Sequence, residues 1–135
     1  VSGSVIRDVL DRQLPKLPSR PDLITCGIGV NDIFYNTPGK LFADLRTLAE
    51  ALPDETVLLD LPLPHGIWGL IGRMSVPYVT RINRVLRETA WSRGQRIARI
   101  SEHFTPPWAG KFASDSFHPS LAGYRDWTRA VLEAI

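Results

Sequence analysis

The sequence predicts an α/β fold in which a parallel sheet is sandwiched between helices. Three observations predict it. Apolar residues recur at helical spacing in four stretches, short apolar β-branched runs separate those stretches, and the two kinds alternate as α-β-α-β-α-β-α. Strands that alternate with helices pair in parallel and are covered on both faces. At 135 residues the chain is one domain or part of one.

The first helix is read from Val5, Ile6, Val9, Leu10, Leu14 and Leu17, with Ser4 able to cap it and Pro15 and Pro18 ending it. After the turn Ser19-Arg20-Pro21, the run Leu23 to Val30 reads as a buried parallel strand. Asn31 to Gly39 is polar and turn-rich and reads as a loop. A helix follows with Leu41, Phe42, Leu45, Leu48, Ala49 and Leu52 on one face. Thr56 to Leu61 is the second strand, and Pro62 to Gly66 turns the chain away. Ile67 to Met74 fits a loop or a short helix. Val76 to Ser92 is the longest helix, with Val79, Ile82, Val85, Leu86 and Ala90 inward and Gly94 beyond its end. Gln95 to Ile100 alternates polar and apolar and reads as a third strand near an edge. Ser101 to Ser114 reads as a long loop, and a last helix runs from Pro119 to Ile135, with Leu121, Tyr124, Trp127, Val131 and Leu132 as its apolar positions.

Composition excludes several classes. The net charge is only +2 and both signs are mixed along the chain, which is not the footprint of a nucleic-acid-binding protein. The arginines between Arg73 and Arg99 read as the solvated face of a helix and its exit turn. One cysteine rules out an intramolecular disulfide. No run of 18 apolar residues exists, so no membrane span is expected. Nor is there metal-ligand spacing among His, Cys, Asp and Glu, or a glycine-rich phosphate loop: Gly27-x-Gly29 is followed by neither a third glycine nor a helix start. No cofactor is expected.

In open α/β sheets ligands bind outside the carboxyl ends of the strands. Asn31 and Asp32 follow the first strand, Pro62 to Trp68 the second, and Ser101 to His118 the third, so topology puts these loops on one rim. Asp115 and His118 stand three residues apart. A carboxylate bonded to Nδ1–H fixes a histidine's tautomer and steadies its imidazolium, as a general base requires. The same spacing is also compatible with Asp115 simply capping the last helix. Asn31 can donate its amide to a developing oxyanion, or simply begin a loop with Asp32 as a cap. The glycine at 29 lets backbone approach a ligand.

Gly29-Val30-Asn31-Asp32 resembles the Gly-x-Asn-Asp block of the SGNH (GDSL-like) hydrolases, and Asp115-Ser116-Phe117-His118-Pro119 resembles their Asp-x-x-His-Pro block. Ser2-Gly3-Ser4 before the first helix is similar to the stretch that carries their block II glycine. The resemblance implies a flavodoxin-like three-layer α/β/α sandwich and serine-dependent hydrolysis of carboxylic esters, or of acetyl groups on sugars. It implies His118 as general base, Asp115 as its orienting partner, and Asn31 with the Gly3 N–H as the oxyanion hole.

One part departs from the pattern. The family's nucleophile is the serine of a Gly-Asp-Ser block after the first strand, and no Gly-Asp-Ser occurs in this sequence. In the family that block precedes the position of Gly3. The expectation is therefore a single domain over residues 1–135 that lacks the first two strands and the helix between them. The missing piece would be cleaved, left out, or supplied as a separate chain, and these residues alone would be inactive. A βαβ unit takes about 30 residues or more, and its loss would leave Leu23 to Val30 as an apolar edge prone to association. Ser2 and Ser4 lie near the right region, but no strand precedes them to present either one.

The expected partner is a small-molecule ester, with His65, Trp68, Trp108 and Phe117 on rim loops as candidate substrate contacts. Trp68, Trp108 and Phe117 serve equally as covers for the core. His103 is a second imidazole on the long loop, Cys26 reads as a small buried hydrophobe, and Trp91 and Trp127 as packing residues. Two other readings stand beside the hydrolase: a binding module that kept the fold without the nucleophile, and a flavodoxin-like nucleotide or receiver domain. The last predicts a phosphate loop or an acidic cluster on the rim, and neither is evident.

Overall fold

The computed structural model describes residues 3–64 and 70–135. Three parallel strands, β1 (Thr25–Cys26), β2 (Val57–Leu59) and β3 (Arg96–Ala98), lie in the order β1-β2-β3. Thr25 pairs with Val57 and Val57 with Arg96, while Cys26, Leu58 and Ile97 share the next register position. Consecutive strands are neighbours, and a helical crossover joins each pair, as the alternation requires.

Helices cover both faces. On one, the helical segment α1 (Ile6–Asp8, continuing through Val9–Gln13 and Leu14–Lys16) packs with α3 (Pro38–Ala51) and α4 (Leu70–Ser92). Its core holds Ile6, Leu41, Leu45, Leu48, Leu58, Ile82 and Leu86, all nearly inaccessible to solvent. On the other, α5 (Ile100–His103) and α6 (Leu121–Ala134) pack Ile100, Phe104 and Ala130 against Val57 and Ala98. This is a three-layer α/β/α arrangement.

The elements depart from the sequence reading at identifiable places. The first helix is not one regular helix. It passes from α to π to 3-10 geometry as it reaches Pro15, whose ring and missing N–H disfavour a regular α-helix. The strand expected over Leu23 to Val30 pairs only at Thr25 and Cys26, because Gly29 at φ +115° turns the chain out of extended geometry. The stretch read as a loop from Asn31 contains α2 (Asp32–Tyr35), and α3 begins at Pro38, capped by the Thr37 hydroxyl. The longest helix begins earlier than Val76 and carries Pro77 inside it. Trp91, expected to pack, is 87% exposed on the outer face of α4. Arg87 of the arginine-rich stretch is not simply solvated: it pairs with the buried Asp60. The last helix starts at Leu121, with the Ser120 hydroxyl accepting from Ala122 and Gly123 N–H, so Pro119 precedes it. Among the described residues, no helix is long and apolar enough to cross a membrane.

Candidate active site

The rim above the strands' carboxyl ends holds a cavity of about 550 Å³. Gly3, Asn31, Phe117 and His118 all line it, with Gly27 to Val30 after β1, Asp60 to Pro62 after β2, Phe104 and Trp127 from the second core, and the exposed Tyr124 of α6. Gly3, Asn31 and His118, with 28 positions between the first two and 87 between the last two, are thus drawn to one place by the topology that the alternation of elements predicts.

The His118 side is built by a tight loop. Phe112 bridges Pro119, the Ala113 N–H donates to the His118 carbonyl at 2.8 Å, and the Ser116 N–H donates to the Ala113 carbonyl at 3.0 Å. Within it, Asp115 Oδ1 accepts from both Phe117 N–H and His118 N–H at 2.9 Å, and Oδ2 lies 2.6 Å from His118 Nδ1. Ser116 occupies the left-handed region at φ 56°, uncommon for a residue with a side chain. The surrounding bonds hold it there. One carboxylate therefore shapes the turn with one oxygen and orients the imidazole with the other. The His118 hydrogen bond and the two backbone N–H groups hold the Asp115 carboxyl down at about 2. The carboxylate is an acceptor, so Nδ1–H donates to it and Nε2 is the ring nitrogen left outside the pair.

Lys111 anchors this loop to α6 by pairing with Asp126 at 2.6 Å. Gly123 lets the two approach: a Cβ there would stand 2.3 Å from the Lys111 carbonyl oxygen. Asp115 does not cap α6, since Ser120 does.

The opposite side joins two distant segments. Asn31 does not cap α2 with its side chain; its Nδ2 donates to the Ser4 carbonyl at 2.9 Å. An amide nitrogen has two hydrogens, so one is left for another acceptor. Asp32 is fully buried and accepts from Ile6 N–H through both oxygens, at 3.0 and 3.3 Å, and from Asn36 Nδ2 at 2.7 Å. Burial pushes the Asp32 carboxyl up, against the hydrogen bonds that hold it down. Asn31 and Asp32 thus pin the segment after Gly3, whose φ of +78° suits glycine, beside β1. The Asp32 contact was not legible in the sequence, because its partner lies 26 residues away.

A second structural carboxylate closes the floor. Asp60, with its side chain inaccessible, accepts from Ser101 N–H and Ser101 Oγ at 2.8 Å and pairs with Arg87. Asn83 does the same work one residue later, exchanging hydrogen bonds of 2.8 Å with both Leu61 N–H and Leu61 carbonyl.

The other expected contacts separate. Phe117 lines the cavity, its ring edge-on to His118 at 5.0 Å and to Phe34 at 6.4 Å. Trp108 packs on Phe104 and Phe112 at 5.6 and 6.0 Å and is not among the cavity's lining residues, so it serves as core cover. His65 and Trp68 lie outside the described residues. His103 pairs with Glu133 at 3.0 Å, and Cys26 is buried, its thiol pushed up to about 11 by desolvation. Among the described residues, no group of three or more His, Cys, Asp or Glu side chains comes together as a metal site.

The sequence profile of the GDSL-like lipase/acylhydrolase family matches residues 1–125. The chain belongs to this family. No curated protein matches it significantly. Solved structures do: LAE5, an α/β hydrolase enzyme from the metagenome of Lake Arreo, Spain, has a TM-score of 0.76 at 21% identity, over 98% of this chain and 68% of its own. Axe2, an acetylxylan esterase from Geobacillus stearothermophilus, has 0.75 at 22% identity, again over 98% and 68%. TesA has 0.76 at 23% identity, over 98% of this chain and 73% of its own. At these identities the likeness is one of fold, and this GDSL-like hydrolase domain shares the α/β architecture of the three.

Proposed function

We propose that this GDSL-like domain hydrolyses carboxylic esters through a Ser-His-Asp triad to which it contributes His118 and Asp115, with the serine supplied from outside these 135 residues. The observation that carries the reading is the Asp115–His118 pair at 2.6 Å on the wall of the cavity that Asn31 and Gly3 also line. In the reaction, the serine Oγ attacks the ester carbonyl carbon while His118 Nε2 takes its proton. The carbonyl π-electrons move onto oxygen, and Asn31 Nδ2–H and Gly3 N–H donate to that oxyanion. The tetrahedral intermediate collapses, the alcohol leaves with the proton from His118, and water resolves the acyl-serine by the same steps in reverse roles. Asp115 holds the imidazole and stabilises its cation throughout.

Among the described residues, the serines nearest the cavity support an external nucleophile. Ser4 is the one of these that lines the cavity, yet its Oγ accepts from Gln13 Nε2 at 3.3 Å and the residue is buried. Ser101 Oγ is committed to Asp60, and Ser120 Oγ to the α6 N-terminus. The surface next to β1 supports a strand–helix segment as the source. Among the described residues β1 pairs with β2 alone, and Leu23, Thr25 and Gly27 are exposed on the α6 side of the sheet. Leu121, Tyr124 and Leu132 are also exposed and, at 3.6 residues per turn, fall within roughly an 80° stripe of α6. A parallel strand on the β1 edge with an amphipathic helix over these groups would cover both and end at the rim.

The test is to fuse a strand, Gly-Asp-Ser turn, helix and second strand ahead of Val1 and assay p-nitrophenyl ester hydrolysis. Turnover in the fusion that is lost with His118→Ala is the expected result. No turnover in a soluble, folded fusion would instead favour a binding module of the same fold.

A further inference from the structure

Part of the arginine-rich stretch has no role in the site, and it borders an exposed apolar patch at the rim. Phe34 and Tyr35 end α2, and Ile71 and Met74 stand on the first turn of α4; all four are more than half exposed. Phe34 and Ile71 line one apolar crevice, which brings the two helices together here. Phe117 joins the patch to the site, its ring edge-on to Phe34 at 6.4 Å and to His118 at 5.0 Å. Single exposed apolar side chains are ordinary, but a contiguous group marks an interaction surface.

The charge around this patch has one sign. From Leu61 through Arg87 the chain carries four arginines and no aspartate or glutamate, and from Ile33 through Ala43 one lysine and again no acid. Arg84 and Arg87 are engaged, with Glu88 at 4.0 Å and with the buried Asp60. Arg73 and Arg81 are exposed, and among the described residues neither pairs with a carboxylate. Arg73 adjoins Met74, and Arg81 lies two turns beyond Met74 on the same face of α4. Asp32 and Asp44 are buried, Asp44 pairing with Lys40 and Arg7, and Asp115 is bonded to His118.

We infer that this face docks on an anionic lipid surface, with the His118 rim turned toward it. Apolar side chains projecting from two helix ends beside free guanidinium groups suit the boundary between headgroups and acyl chains. The apolar groups enter it, and Arg73 and Arg81 stay with the phosphates. The docking stands without the hydrolase reading; that it presents an ester to His118 rests on that reading. The strand–helix segment proposed to bring the serine leaves this face open. It would lie along β1 and α6, whereas α4 packs on α3, across the sheet from α6.

The test is flotation of the 135-residue chain with vesicles of phosphatidylcholine alone, or of phosphatidylcholine mixed with phosphatidylglycerol. No turnover is read, so the outcome does not depend on the serine. Binding to the mixed vesicles, with little to phosphatidylcholine alone, is the expected result. Arg73→Gln with Arg81→Gln should weaken it about 30-fold, which is roughly 1 kcal/mol for each arginine. Ile71→Ser with Met74→Ser should weaken it about 10-fold or more through lost apolar burial. Trp91→Ser, at the other end of α4 and more exposed than either, should leave it unchanged. No binding to either vesicle, or equal binding to both, would overturn the proposal. So would binding that survives Ile71→Ser with Met74→Ser and is lost with Leu121→Ser and Leu132→Ser, since the vesicle would then be seated on α6. Binding as expected, in a fused protein that hydrolyses no ester, would leave the docking standing and remove the hydrolase reading.

Discussion

Asn31 Nδ2 donates to the Ser4 carbonyl at 2.9 Å, across 27 residues of sequence. This bond holds the segment after Gly3 against the rim of β1, and it leaves the second amide hydrogen of Asn31 for a ligand. An oxyanion hole made of a side chain and a distant backbone N–H needs such a fastening, because electrostatic stabilisation depends on donors fixed before the charge develops. Asn31→Ala in the serine-completed domain is expected to lower kcat by on the order of 10²–10³ with a much smaller effect on KM. An equal rise in KM with kcat unchanged would mean that Asn31 binds substrate without favouring the transition state.

Asp115 should titrate far below an ordinary aspartate. Its folded value is depressed to about 2, so it favours the folded loop at pH above its unfolded value of about 3.9. That contribution is lost as pH falls from there through about 2. A ¹³C-detected titration of the Asp115 carboxyl should show a midpoint near 2, and His118→Ala should move it up. A midpoint near 3.9 in the unaltered chain would mean that the 2.6 Å pairing is not maintained in solution.

Asp32 acts on the site through position. Asp32→Ala leaves the buried Ile6 N–H without its acceptor, and an unsatisfied buried donor costs about 1–3 kcal/mol. Urea unfolding should show a loss of that size. The Gly3 and Ser4 amide signals should shift more than those around His118. Unchanged stability would mean that water or another group replaces the carboxylate.

Gly123 is a packing requirement. A Cβ at this position would meet the Lys111 carbonyl oxygen at 2.3 Å and Phe104 Cε2 at 2.9 Å. Gly123→Ala must therefore push the Asp115–His118 loop away from α6, although alanine is the better helix former. Overpacking of this kind costs typically about 1–3 kcal/mol, and thermal melting should fall accordingly. A rise in melting temperature would show that helix propensity wins over the contact.

How far the sequence carried depended on the range of the interactions. Helix α3 was legible residue by residue, because Leu41, Phe42, Leu45, Leu48 and Ala49 all point inward at helical spacing. The Asp115–His118 pair was legible because it closes within a single turn. The length of β1 was not: an apolar run reports burial, and Gly29 and the limits of strand pairing decide where the ladder stops. Trp91 lies on the polar face of α4, where its residue type misleads. Trp108 sat on a rim loop in sequence but turns back onto Phe104. The roles of Asp32 and Asp60 depend on partners 26 and 41 residues away, and no local pattern announces either.

The central claim, that this domain provides the histidine, aspartate and oxyanion donors while the nucleophilic serine comes from elsewhere, is tested most directly by fluorophosphonate labelling read by intact mass. The account predicts no adduct on residues 1–135 alone, and a single adduct on the added Gly-Asp-Ser serine in the fused protein that disappears with His118→Ala. An adduct on the 135-residue chain itself, mapped to Ser4 or any other serine, would contradict it.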